Sequence, residues 1–175
     1  KELSKLLNLG EQSFDTFRLD YYSQTPDPSR GASPRENMEL VYEVCLNYAQ
    51  KFGRFYFKNL FLSGAPGLGK TFLSACIART VSENGYSVVY DTAGNIFAQF
   101  EARKFQRDAQ DAQEAKDDTR RYLSCDLLIL DEWGYIPVHT NGTRLLFDVI
   151  SDCYEKRSVI LTTNLPLPEW NRIFG

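Results

Sequence analysis

The run Gly64-Ala65-Pro66-Gly67-Leu68-Gly69-Lys70-Thr71 constrains this chain more than any other stretch. It fills every fixed position of the pattern G-x-x-x-x-G-K-[S/T]. The pattern has a physical cause. A polyphosphate is wrapped by backbone N–H groups, and glycine lets the chain curl until those groups point inward at its oxygens. The context fits as well. Asn59-Leu60-Phe61-Leu62-Ser63 reads as a short apolar strand ahead of the loop, and Phe72 to Asn84 as a helix behind it. The free N–H groups and positive dipole end of that helix add to the anion site. Lys70 would reach the β- and γ-phosphates, and the Thr71 hydroxyl would bind Mg²⁺. The candidate nucleotide contacts are Gly64, Ala65, Pro66, Gly67, Leu68, Gly69, Lys70, Thr71 and Phe72.

Around the loop, apolar runs alternate with helical spacing. Ser33-Pro34-Arg35-Glu36 predicts a helix start, with Ser33 as N-cap, Pro34 at the first position and Glu36 completing a capping box. Met38, Val41, Cys45, Tyr48 and Phe52 follow at helical spacing, to a stop near Gly53. Leu73, Cys76, Ile77 and Val81 mark the buried face of the helix after the loop. Ser87 to Tyr90 reads as a second strand, and Thr92 caps a third helix with Ile96, Phe97 and Phe100 on its apolar side. Leu146, Val149, Ile150 and Cys153 line another helix, and Val159 to Asn164 forms a fourth strand.

Asp126-Leu127-Leu128-Ile129-Leu130-Asp131-Glu132 is an apolar strand closed by two carboxylates. Such a strand is buried on both faces, as in a parallel sheet covered by helices. The whole alternation predicts an α/β fold with a parallel, doubly wound sheet flanked by helices. Right-handed crossovers then bring every strand C-terminus to one edge, where such sheets bind ligands. That edge collects the phosphate loop, Asp131, Glu132 and Asn164. Two adjacent acids at the end of a core strand have little structural use, because burying them unpaired is costly. A metal ion held by Asp131 through water, and a catalytic water polarised by Glu132, give them one. The candidate catalytic residues are Lys70, Glu132 and Asn164, the last holding that water or the γ-phosphate. The candidate metal ligands are Thr71 and Asp131, for Mg²⁺ bound with ATP or ADP. The glutamate favours a hydrolase over a small-molecule kinase, since water is then the nucleophile to be aligned.

Residues 1–32 read as an irregular lead-in and 33–175 as the nucleotide-binding core. Phe14, Phe17, Leu19, Tyr21 and Tyr22 crowd the lead-in. They read as a lid packed on the core, the alternative being that Phe17 or a neighbour touches adenine. Residues 101–121 mix six basic residues, Arg103, Lys104 and Arg107 among them, with six acidic ones, and read as a solvated helix face or a projecting partner contact. The net charge of −3 gives no global case for nucleic-acid binding. No apolar run is long enough for a membrane span. The four cysteines form no C-x-x-C, and with the single His139 they carry no zinc signature. Cys45, Cys76 and Cys153 fall on apolar helix stripes as buried free thiols, which suits a reducing cytoplasm.

With the loop, the paired carboxylates and the polar strand end in place, the chain resembles the AAA+ ATPases. Within them it is similar to the DnaC/IstB-like group of bacterial replicative-helicase loaders and transposition helper ATPases. The resemblance rests on the loop at 64–71, Leu128-Ile129-Leu130-Asp131-Glu132-Trp133-Gly134-Tyr135, Tyr154-Glu155-Lys156-Arg157-Ser158 and Thr162-Thr163-Asn164-Leu165-Pro166-Leu167-Pro168-Glu169-Trp170, within residues 14–175. It implies Walker A roles for Lys70 and Thr71, Walker B roles for Asp131 and Glu132, and the sensor-1 position for Asn164. It also implies a homo-oligomer in the full-length protein, a replicative helicase as partner, and weak single-stranded DNA contacts from residues 93–121, with Arg103, Lys104 and Arg107 as candidates. The family's arginine finger and sensor-2 arginine lie beyond the sensor-1 strand, whereas this chain stops at Gly175 and starts at Lys1 rather than Met. The resemblance therefore implies an ATPase core that hydrolyses slowly alone. The first functional expectation is an ATP-dependent helicase loader in DNA replication. The alternatives are an IstB-like transposition helper and a nucleotide-gated binding module with little turnover.

Overall fold

Side-chain alternation along one strand divides the molecule into two cores. The computed structural model describes residues 11–29, 31–54, 57–105, 120–133, 151 and 157–169, with backbone alone for 100–105 and 167. Its sheet contains β1 (Leu60–Ser63), β2 (Val88–Thr92), β3 (Leu127–Trp133) and β4 (Ser158–Thr163), all parallel, in the order β1-β4-β3-β2. Leu127 and Ile129 of β3 turn to one face, with Val88, Tyr90 and Ile160. Leu128 and Leu130 turn to the other, with Val89 and Val159. The helices α1 (Pro34–Gln50) and α2 (Lys70–Glu83) cover the first face, and α3 (Ala93–Phe105) with the helical residues 120–124 covers the second. Leu127 to Leu130 are wholly buried, and each contributes about 1.5–3 kcal/mol of apolar burial. The expected parallel sheet with helices on both faces is therefore present.

The order of the strands positions the site. The crossover through α2 carries the chain from β1 at one edge to β2 at the other. From there β2, β3 and β4 are neighbours in chain order, and β4 returns beside β1. The C-terminal ends of β1 and β3 thus flank the end of β4.

The capping box of α1 forms as expected: Ser33 Oγ accepts from Glu36 N at 3.1 Å, and Ser33 N donates to Glu36 Oε2 at 2.7 Å. Three expectations shift. The strand β2 continues two residues past Tyr90, because its ladder with β3 still pairs Asp91 with Leu130 and Thr92 with Asp131. The helix α2 begins at Lys70 rather than Phe72, since the left-handed Gly69 (φ 85°) turns directly into it. The buried stripe of α1 is rotated: Val41 stays exposed and Tyr42 packs inward instead. The cause is the lead-in. The Tyr42 hydroxyl donates to Phe14 O at 3.0 Å, and its ring lies 5.6 Å from those of both Phe14 and Phe17. Cys45 and Cys76 are buried free thiols, and so is Cys125. The expected helix carrying Leu146 and Cys153, together with His139, Trp170 and residues 106–119, lies outside the described residues. Among the described residues no helix is long and apolar enough to cross a membrane.

Candidate active site

The loop between β1 and α2 takes its shape from glycines. Gly67 and Gly69 hold φ of 78° and 85°, a left-handed backbone that side-chain-bearing residues rarely adopt. Gly69 is required for space as well: a Cβ there would meet Tyr22 Oη at 2.9 Å and a Phe17 ring carbon at 3.2 Å. Both rings belong to the lead-in, which braces the loop from behind. The Tyr22 hydroxyl donates to Leu68 O at 3.1 Å, and the Phe17 ring lies 5.5 Å from that of Phe72. On the other side Gly64 N donates to Thr163 O at 3.3 Å, tying the loop to β4.

In front of the loop lies a cleft of about 450 Å³, within the range of small-ligand sites. It is lined by Pro66, Gly67, Gly69, Lys70, Thr71 and Phe72 from the loop and helix, and by Asp131, Glu132 and Asn164 from the strand ends. Gly64, Ala65 and Leu68 are not among the lining residues. The first two instead give their carbonyls to the Lys70 ammonium, each at 2.8 Å. Burial lowers the Lys70 pKa, and the Asp131 charge draws it part of the way back. Phe17 does not line the cleft, so it is placed as a brace rather than a base contact. Among the described residues of the lead-in, Gln12 reaches the cleft.

A break in the ladder shapes the far wall. Pairing between β3 and β4 jumps from Leu130–Leu161 to Trp133–Thr163, so that Asp131 and Glu132 together oppose Thr162. Such a bulge interrupts the two-residue alternation that would send adjacent side chains to opposite faces. Glu132 takes φ 59°, a left-handed conformation costing on the order of 1–3 kcal/mol for a non-glycine residue. Its N–H is held by Thr162 Oγ1 at 3.1 Å and Asp131 Oδ1 at 3.0 Å. The two adjacent carboxylates are not buried alike. Asp131 alone is buried, at 4% exposure, while Glu132 is exposed at the rim. Asp131 is also well partnered. The Thr162 hydroxyl donates to its Oδ1, the Tyr90 hydroxyl donates to its Oδ2 at 2.5 Å, and Thr71 Oγ1 stands 3.4 Å from Oδ1.

Sequence reading did not single out Tyr90, Thr162 or Gln12. A polar pair before Asn164 was visible in Thr162-Thr163. Nothing in β2 distinguishes Tyr90 from a core aromatic, because only the register with β3 sets it diagonally beside Asp131. Of the proposed DNA contacts, Arg103 and Lys104 lie on the backbone of α3, and Arg107 lies outside the described residues.

A glycine loop turning from the first strand into a helix, with a carboxylate-tipped strand one position removed and a polar strand end between, defines a nucleotide-binding domain of the P-loop fold. The family model for IstB-like ATP binding protein matches residues 54–175, and the chain belongs to that family. An insertion-sequence ATP-binding protein of Sinorhizobium fredii is 34% identical over 116 residues, covering 66% of this chain and 37% of its own length. The ATP-binding protein of insertion sequence IS5376 from Geobacillus stearothermophilus is 32% identical over 118 residues, covering 67% of this chain and 45% of its own. The chain thus spans less than half the length of these two relatives. In fold, the crystal structure of the DnaC helicase loader matches with a TM-score of 0.70 at 17% identity, over 98% of this chain and 90% of that one.

Proposed function

We propose that this chain is a Mg²⁺-dependent ATP-hydrolysing core that serves an insertion sequence as its helper ATPase. The observation that carries the hydrolytic reading is the convergence of Lys70, Thr71, Asp131, Glu132 and Asn164 on one cleft. The loop N–H groups and Lys70 bind the phosphates, Lys70 exchanging its two carbonyl partners for phosphate oxygens. Thr71 and Asp131 fit a hard cation: they offer a hydroxyl and a carboxylate oxygen 3.4 Å apart. Among the described residues there is no cluster of three or more acidic, His or Cys side chains, which suits an ion that keeps waters and shares phosphate oxygens. When bound, Mg²⁺ supplies neutralisation of the phosphate charge. Glu132, at the rim, accepts a proton from the attacking water, and Asn164 orients that water or the γ-phosphate.

Among the described residues lining the cleft, Lys70 is the one basic side chain. Transition-state charge then calls for an arginine from beyond the described lining, in this chain or in a neighbouring subunit. Such a finger is worth about 10³–10⁵ in rate in related enzymes. Turnover by these residues alone is accordingly slow.

The insertion-sequence relatives favour the helper role, which the sequence alone ranked second. Helicase loading is the second reading, supported by a fold likeness to the DnaC loader that extends over the lead-in. Phosphate release measured with the transposase of the same element, and separately with the replicative helicase, separates the two by which partner stimulates it.

The core reading is tested by titrating a fluorescent ATP analogue against wild type and Lys70→Ala with Mg²⁺ present. Loss of a charge-assisted contact worth about 1.5–3 kcal/mol predicts roughly 10–150-fold weaker binding. Equal affinities would remove Lys70 from the phosphates.

A further inference from the structure

The buried tyrosine of β2 is outside every role given so far. Tyr90 is 4% exposed and its ring belongs to the core beneath α2. Its hydroxyl, however, does not end in the core. It donates to Asp131 Oδ2 at 2.5 Å, in the range of a charge-assisted O–H···O⁻ bond. On its other oxygen, Asp131 faces Thr71, whose Oγ1 stands 3.4 Å from Oδ1. Tyr90 therefore holds one of the two residues that would face the metal ion, and does not itself line the cleft. The second donor, Thr162, holds Oδ1 from β4. Between them, β2 and β4 fix the carboxylate at both oxygens, with Oδ1 turned toward Thr71.

We propose that Tyr90 is a positioning residue for magnesium: its hydroxyl sets the orientation of Asp131 toward the ion without touching ion or nucleotide. This rests on the reading of Thr71 and Asp131 as the Mg²⁺ residues. Outer partners of metal-facing carboxylates typically contribute 10–100-fold in metal affinity. A purely structural tyrosine would contribute to stability alone.

The experiment compares Tyr90→Phe with Tyr48→Phe. Tyr48 is a matched control: it is 1% exposed, and its hydroxyl donates to Lys58 O at 2.7 Å, in a residue that does not line the nucleotide cleft. Both variants keep the ring that fills the core, and thermal midpoints without metal report that each is folded. A fluorescent ATP analogue is titrated first in EDTA, then at rising Mg²⁺. Tyr90→Phe is expected to bind the analogue as wild type does in EDTA, yet to need about 10-fold more Mg²⁺ for the half-maximal gain in affinity. Tyr48→Phe should keep the wild-type Mg²⁺ midpoint while losing thermal stability. If Tyr90→Phe also keeps the wild-type Mg²⁺ midpoint, the hydroxyl is structural and the proposal is overturned. A wild type whose affinity gains nothing from Mg²⁺ overturns the metal site itself, and the proposal with it. In that case Lys70→Ala still reports separately on phosphate binding.

Discussion

Two buried aspartates end the neighbouring strands β2 and β3, each beside a buried tyrosine hydroxyl, and they are put to opposite uses. Asp91 is 1% exposed and faces the second core. Its Oδ1 accepts from Thr92 N at 2.8 Å and Asn95 Nδ2 at 3.1 Å. Its Oδ2 lies 2.8 Å from the Tyr122 hydroxyl and 3.8 Å from the Arg121 guanidinium. Amide, hydroxyl and cation close this carboxylate off, and it joins α3 to the helical turn before β3. Asp131 is held by hydroxyls and a backbone N–H, and it lines the cleft beside Lys70 and Thr71. The difference teaches that burial does not separate a structural carboxylate from one proposed to face a metal ion. What separates them is whether the surroundings answer the full charge within the fold or leave it turned toward a cavity.

The comparison is broken or sharpened by three measurements. The largest effect is expected at Glu132, the exposed partner of Asp131 across the bulge. Glu132→Gln should lower phosphate release by about 10²–10⁴ while leaving affinity for the ATP analogue close to wild type. A variant that turns over normally would leave the cleft carboxylates without a chemical role.

Next comes the exchange between the two aspartates. Asp91→Ala strands Tyr122 and Asn95 and should cost about 2–3 kcal/mol in urea unfolding, with nucleotide affinity unchanged. Asp131→Asn should do the reverse, keeping stability to within about 1 kcal/mol while abolishing the Mg²⁺-dependent part of nucleotide affinity. If Asp91→Ala weakens nucleotide binding without loss of stability, the two sites are one and the contrast fails.

The smallest effect concerns two thiols buried at least as deeply as Asp91. Burial pushes the Cys45 and Cys76 thiols up to about 12. Above the ordinary thiol pKa of about 8.5, the unfolded chain loses these protons and the folded chain keeps them. Stability then falls as pH rises, by about 1.4 kcal/mol per thiol per pH unit until the folded value is reached. Denaturation midpoints between pH 8.5 and 9.5, below the range where buried tyrosines add to the slope, should show a loss of about 1 kcal/mol per thiol, and a Cys76→Ala background should remove about half of it.

The phosphate loop was legible because its constraints are local. A strand, a turn that only glycine makes, and a helix N-terminus follow one another in the chain, so residue types and spacing suffice. The capping box at Ser33 and Glu36 was legible for the same reason. Val41 was misassigned because helical spacing fixes only the width of an apolar stripe. Which edge of the stripe is covered depends on Phe14 and Phe17, brought there from outside the helix. The pair Asp131 and Glu132 was visible as chemistry but not as geometry, since strand periodicity carries no sign of a bulge.

The sequence by itself determined the class of fold, through the alternation of apolar strands and amphipathic helices, and the glycine turn that joins β1 to α2. The tertiary structure alone decided the strand order that sets β4 between β1 and β3, and the register that lays Tyr90 diagonally against Asp131. It alone decided the bulge that buries one carboxylate and exposes the next, and the packing of the lead-in behind Gly69. The physical reason is range. Backbone conformation and burial period are written within a few residues of where they act, whereas hydrogen bonds such as Tyr90 to Asp131 join residues far apart in the chain and exist only once the sheet has closed on one register.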